Sequence, residues 1–127
     1  MSNDILAQRA AVQDQTAGRT VCDVLQRTAR DSADLPAYSD REGAAGPWQT
    51  ITWRQTRERA VELAAGFIAL GLQPGERVAM MMPNRVEHVL ADLGVMHAGG
   101  VPVTVYATLA AEQIAFVAGN CDARIAA

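Results

Sequence analysis

The chain contains no lysine, and all 11 of its basic residues are arginine. That absence removes Schiff-base chemistry and the lysine of a phosphate-binding P-loop. Cysteine is scarce. Cys22 and Cys121 lie far apart without C-x-x-C spacing, too few for a zinc shell, and a reducing compartment disfavours a disulfide between them. They read as two small semi-buried side chains. No apolar run approaches the roughly 20 residues that a bilayer crossing needs, and mean hydropathy is +0.02. Residues 1–15 carry Asp4, Arg9 and Asp14 where a secretory signal has an apolar block. The expectation is a cytoplasmic protein without a transmembrane segment. A net charge of −3 excludes the basic footprint of a nucleic-acid partner.

Serine is limited to Ser2, Ser32 and Ser39, and neither G-x-S-x-G nor H-E-x-x-H occurs. The glycines of Ala98-Gly99-Gly100-Val101 fit neither G-x-G-x-x-G nor the P-loop pattern. They also precede a predicted strand, whereas glycines that cradle phosphate follow a strand and open a helix.

What is present is an ordinary globular composition of 127 residues, 50% hydrophobic and 20% charged, which suits one domain. Residues 1–18 are rich in Ala, Gln and Asp with little apolar periodicity, and read as a flexible N-terminal segment or surface strap. Residues 19–127 carry the folded part. Thr20 caps a helix to about Ala33, with Val21, Val24, Leu25, Thr28 and Ala29 at helical spacing. Pro36–Asp40 and Trp48–Thr52 read as a hairpin around the turn Arg41–Gly46.

Thr52-Trp53-Arg54-Gln55 is a capping box. Behind it, Ala60, Val61, Ala64, Phe67 and Ile68 form one helical stripe, and Gly71 stops the helix. Val78–Met82 is a continuous apolar run, suited to a strand covered on both faces. Pro83-Asn84 opens a helix with Val86, Val89, Leu90 and Leu93 inward, and Gly99-Gly100 ends it. Val101–Tyr106 is the next strand. Thr108 caps a further helix with Ile114, Val117 and Ala118 inward, and Arg124–Ala127 begins a third strand. The strand–helix–strand–helix–strand order predicts an α/β fold, a parallel βαβαβ sheet with flanking helices, preceded by a helix and a short β-hairpin.

The candidate chemical groups do not converge. His88 and His97 are nine positions apart on one predicted helix, which puts them on opposite faces at about 100° per residue. His88 and Asp92, four apart, read as a solvated pair. His97 continues the inner stripe as a half-buried histidine. Glu58 and Glu62 lie on a polar helix face, and Met80-Met81-Met82 reads as sheet core. The residues alone assign no reaction.

Four segments, in order, carry a resemblance. Trp48-Gln49-Thr50-Ile51-Thr52-Trp53 resembles the hairpin-to-helix signature of the adenylate-forming (AMP-binding) enzymes. Gly71-Leu72-Gln73-Pro74-Gly75-Glu76-Arg77-Val78-Ala79, with Pro83-Asn84 behind it, is similar to that family's G-x-x-x-G-[DE]-R-V-A element. Ala91-Asp92-Leu93-Gly94-Val95-Met96-His97-Ala98-Gly99-Gly100-Val101-Pro102-Val103 resembles its helix–Gly–strand unit. The stretch from Val105-Tyr106-Ala107-Thr108 through Glu112-Gln113 to Gly119-Asn120-Cys121 is most similar to the long-chain fatty acyl-CoA synthetase branch.

The resemblance implies a two-step ligation in the parent enzyme. ATP and a fatty acid give an acyl-adenylate and pyrophosphate, and coenzyme A then displaces AMP, with Mg2+ assisting. The family's phosphate loop with its Lys, metal-binding Glu segment, ribose-binding Asp and C-terminal catalytic Lys match nothing in residues 1–127. No catalytic, cofactor-binding or metal-binding residue is therefore assigned.

The expectation is a partial subdomain of a larger adenylate-forming fold, inactive alone and partnered by the remainder of the synthetase. An apolar strand at the end of the sequence supports that reading of a truncated protein. The alternative is a free-standing α/β interaction module, able to form a homo-oligomer through exposed apolar surface or an open sheet edge.

Overall fold

The computed structural model of the protein describes residues 2–127, with side chains from residue 4 onward. The first helix, α1, spans Ser2–Thr16, and every described side chain on it is exposed. The sequence reading assigned no element to residues 1–18. Ala and Gln hold this helix by propensity, without the apolar stripe that periodicity detects.

Helix α2 spans Val21–Asp31 and opens on the capping box Thr20/Asp23. The Thr20 hydroxyl accepts the Asp23 N–H at 3.2 Å, and the Asp23 carboxylate accepts the Thr20 N–H at 2.8 Å. Its inner face is Leu25 and Ala29, while Val21 and Val24 are exposed. Strands β1 (Pro36–Arg41) and β2 (Trp48–Thr52) pair antiparallel, with Tyr38 opposite Ile51 and Asp40 opposite Gln49. The Ser39 and Thr50 hydroxyls meet across the pair at 2.7 Å.

Helix α3 (Trp53–Ala69) opens on the expected Thr52/Gln55 box. Thr56, Ala60, Ala64 and Phe67 form its buried stripe. Val61 and Ile68, expected inward, are instead 43% and 56% exposed. The buried stripe is narrower than the sequence suggests, and along it α3 lies close against the next helix. A Cβ placed at Gly94 there would stand 2.7 Å from the Cβ of Leu63.

The second half of the chain alternates as expected: β3 (Arg77–Met80), α4 (Val86–His97), β4 (Val101–Thr104), α5 (Ala111–Asn120) and β5 (Ile125–Ala126). The three strands form a parallel sheet in the order β4-β3-β5, with Val78 between Pro102 and Ile125. Gly75 and Gly99 adopt positive φ of 81° and 79°, and the Gly75 N–H donates to the Gly99 carbonyl at 2.8 Å. That bond ties together the turns that lead into β3 and β4.

Two element starts differ from expectation. Helix α4 begins at Val86 rather than at Pro83-Asn84, and α5 has its N-cap at Ala110 rather than Thr108. At α5 the Gln113 side chain accepts the Ala110 N–H at 3.1 Å, so a residue inside the helix satisfies that amide.

The main core joins Ala64, Phe67, Leu72, Val78, Met80, Ala91, Val95 and Ala98. Leu25, Ala60 and Leu93 form a second cluster where α2, α3 and α4 meet. Burying each large side chain in these clusters contributes about 1.5–3 kcal/mol. Helix α5 supplies no residue to either cluster and has none that is fully buried. No described helix is long and apolar enough to cross a membrane.

Candidate functional site

In open parallel sheets, ligands bind beyond the carboxyl ends of the strands. Here that end is formed by Met81, Met82, Thr104, Val105 and Tyr106, with His88 above on α4. The Val105 N–H donates to the Met80 carbonyl at 2.8 Å, which holds the end of β4 against β3. Thr104 Oγ1 stands 3.4 Å from His88 Nε2. Met80 is fully buried, whereas Met81 is 48% exposed, so the methionine run is only partly sheet core.

The connection from β3 to α4, Met81-Met82-Pro83-Asn84-Arg85, contains no glycine. Arg85 is the N-cap but gives no side-chain cap. Asp40 does so instead: its Oδ2 accepts the Val86 N–H at 3.2 Å and faces Arg85 Nε at 3.2 Å, while its Oδ1 accepts the Arg41 N–H at 2.7 Å. Donation from Val86 and then Arg41, with the nearby Arg85 charge, holds the Asp40 carboxyl below its ordinary range. The helix end that would attract a phosphate already faces a carboxylate of the chain itself.

The remaining candidates stay apart. His97 Nδ1 lies 2.7 Å from the Leu93 carbonyl, one turn back on its own helix. His88 faces Thr104, and among the described residues no hydrogen bond joins it to Asp92. Asp92 is half-buried rather than solvated, and its Oδ1 is covered. Glu58 and Glu62 lie on the exposed side of α3. Both cysteines are free and half-buried.

Among the described residues no three His, Cys, Asp or Glu side chains gather where they could hold a metal ion. No lysine and no glycine-rich strand-to-helix turn stands at this end of the sheet to hold a nucleotide phosphate.

Sequence reasoning missed Asp40 and Thr56. Asp40 looked like the last residue of a hairpin strand, and its partner at Val86 is 46 positions away. Thr56 is fully buried, with its hydroxyl donating to the Thr52 carbonyl at 2.8 Å. The four-residue spacing from Thr52 was the available signal.

Comparison with known proteins places this architecture. The AMP-binding enzyme family model matches residues 25–127. An uncharacterised protein of Mycobacterium tuberculosis is 34% identical over 122 residues, which are 96% of this chain and 67% of that one. A long-chain-fatty-acid–CoA ligase of Xenopus laevis is 34% identical over 106 residues, 84% of this chain but only 14% of the ligase. Among solved structures, a fatty acyl CoA synthetase of Mycobacterium tuberculosis superposes with a TM-score of 0.74 at 30% identity, over 83% of this chain and 20% of that one. The inhibitor-bound N-terminal domain of FACL13 from the same organism gives 0.73 at 30% identity, over 83% and 25%. Matched along four-fifths of its length and sharing the α/β architecture of those synthetases, the chain belongs to the AMP-binding enzyme family.

Proposed function

We propose that residues 19–127 are the N-terminal α/β part of a cytoplasmic long-chain fatty acid–CoA ligase and that they supply scaffold, not catalytic groups. The parent reaction converts ATP, fatty acid and coenzyme A to acyl-CoA, AMP and pyrophosphate through an acyl-adenylate. One observation carries the reading: this chain matches ligases over only 14% of their length, in a stretch without lysine. The parent's use of ATP, Mg2+ and coenzyme A then rests on residues outside this stretch.

The test has two arms. Reading the coding DNA beyond Ala127 is expected to extend the frame into a Thr/Ser/Gly-rich loop with a lysine. The purified chain is expected to show no fatty-acid-dependent ATP–pyrophosphate exchange. Clear exchange would sink the scaffold reading, and an immediate stop codon would sink the ligase reading for this protein.

A second reading is a free-standing interaction module that self-associates. It is favoured by the mycobacterial relative, in which the matched 122 residues already make up 67% of the protein. A chain of that size has no room for the remainder of a ligase.

A further inference from the structure

We propose that the Arg19–Thr20 peptide bond is a processing site for an arginine-specific endopeptidase, and that cleavage there releases α1 and leaves the fold from Thr20 onward whole. Every described side chain of α1 is exposed, and the helix adds no residue to either core cluster. Among the described residues its hydrogen bonds stay within α1 and its linker. A helix of 15 residues without packing is marginal in water, so its last turn opens readily.

The linker, Ala17–Thr20, is exposed throughout, and Gly18 turns it at a φ of 70°. The Arg19 N–H donates to the Thr16 carbonyl at 3.0 Å, a bond that is lost when that turn opens. An endopeptidase of this class seats the arginine in a pocket that ends in a carboxylate, so the guanidinium has to be free. Among the described residues Arg19 is in no ion pair. The arginines of the other connections are held. Arg41 lies over the Trp48 ring at 4.9 Å, Arg85 faces Asp40 and Glu87 at 3.2 Å each, and Arg124 faces Glu76 at 3.4 Å.

The cut falls one residue before α2 and spares its cap. Water adds its hydroxyl to the Arg19 carbonyl carbon and a proton to the Thr20 nitrogen as the amide bond breaks, giving a carboxylate and an α-ammonium. That ammonium stands at the positive end of the α2 dipole, where a bare cation is disfavoured. Asp23 already meets it: its Oδ2 accepts the Thr20 N–H at 2.8 Å and the Thr20 hydroxyl at 2.7 Å. The new charge is therefore paired within the existing capping box.

Limited digestion of the full chain with trypsin tests this, since without lysine trypsin reads only the arginine bonds. The persistent product should begin Thr20-Val21-Cys22 by N-terminal sequencing and should still melt cooperatively. Arg19→Gln should leave that bond uncut, with the arm trimmed no further than Arg9. Asp23→Ala should lower the melting midpoint more in the cleaved chain than in the intact one. A persistent wild-type product that begins after Arg9, Arg41, Arg85 or Arg124 overturns the site. So does digestion to small peptides, or loss of the cooperative melt once α1 has gone. Equal lowering by Asp23→Ala in both chains overturns the role given to Asp23.

Discussion

Oδ2 of Asp40, on strand β1, accepts the backbone N–H of Val86 at 3.2 Å, so a hairpin residue caps a helix 46 positions later. This link anchors the hairpin to α4 and gives the fold an acid-sensitive joint. The folded carboxyl titrates below its unfolded value of about 3.9. Its stabilisation is therefore complete above that value and is lost as pH falls through the folded pKa. Asp40→Ala should lower the thermal midpoint at pH 7 more than Asp40→Asn does. The gap between wild type and the Asn variant should close below about pH 4. Parallel melting curves from pH 7 to pH 2 would count against the joint.

The α3–α4 contact depends on the missing side chain of Gly94. A Cβ there would stand 2.7 Å from the Cβ of Leu63, an atom fixed to its backbone. Gly94→Ala should destabilise by about 1–3 kcal/mol in urea unfolding. Gly66 is the control, since it lies on the exposed side of α3 with nothing within 4 Å of an added Cβ. Gly66→Ala should stabilise by about 0.5–1 kcal/mol.

The methionine run should divide sharply by position. Met80→Ala removes a fully buried side chain and should cost about 2–5 kcal/mol. Met81→Ala, at the exposed carboxyl end of the strand, should stay within about 0.5 kcal/mol of wild type. Equal effects would mean that the register of β3 is shifted by one residue.

Nucleotide should not stabilise this chain. Thermal melts with Mg2+ and ATP at millimolar concentration should leave the midpoint unchanged. A ligand present at a hundred times its dissociation constant would add about 2.7 kcal/mol, so an upward shift would be plain.

The order of helices and strands from Thr20 onward was legible from the sequence because its signals are local. Thr20, Thr52, Gly71 and Gly99 mark where helices open and close, and the run from Val78 marks a strand buried on both faces. The hairpin bounds were equally local. What escaped was set by distant partners or by missing periodicity: Asp40 capping α4, the narrow stripe of α3 opposite Gly94, and the propensity-held helix α1. The half-buried setting of Asp92 and the Thr104–His88 approach needed β4 and α4 side by side.

The place of β3 at the centre of its sheet bears on how the chain is made. Both of its neighbours are translated after it, and 45 residues separate Met80 from Ile125. At about 5–20 residues per second, the central strand waits seconds on the ribosome with one flank bare. A pause or a slow codon in that interval prolongs the exposure of an apolar ribbon, and a holding chaperone would act on this protein in that window.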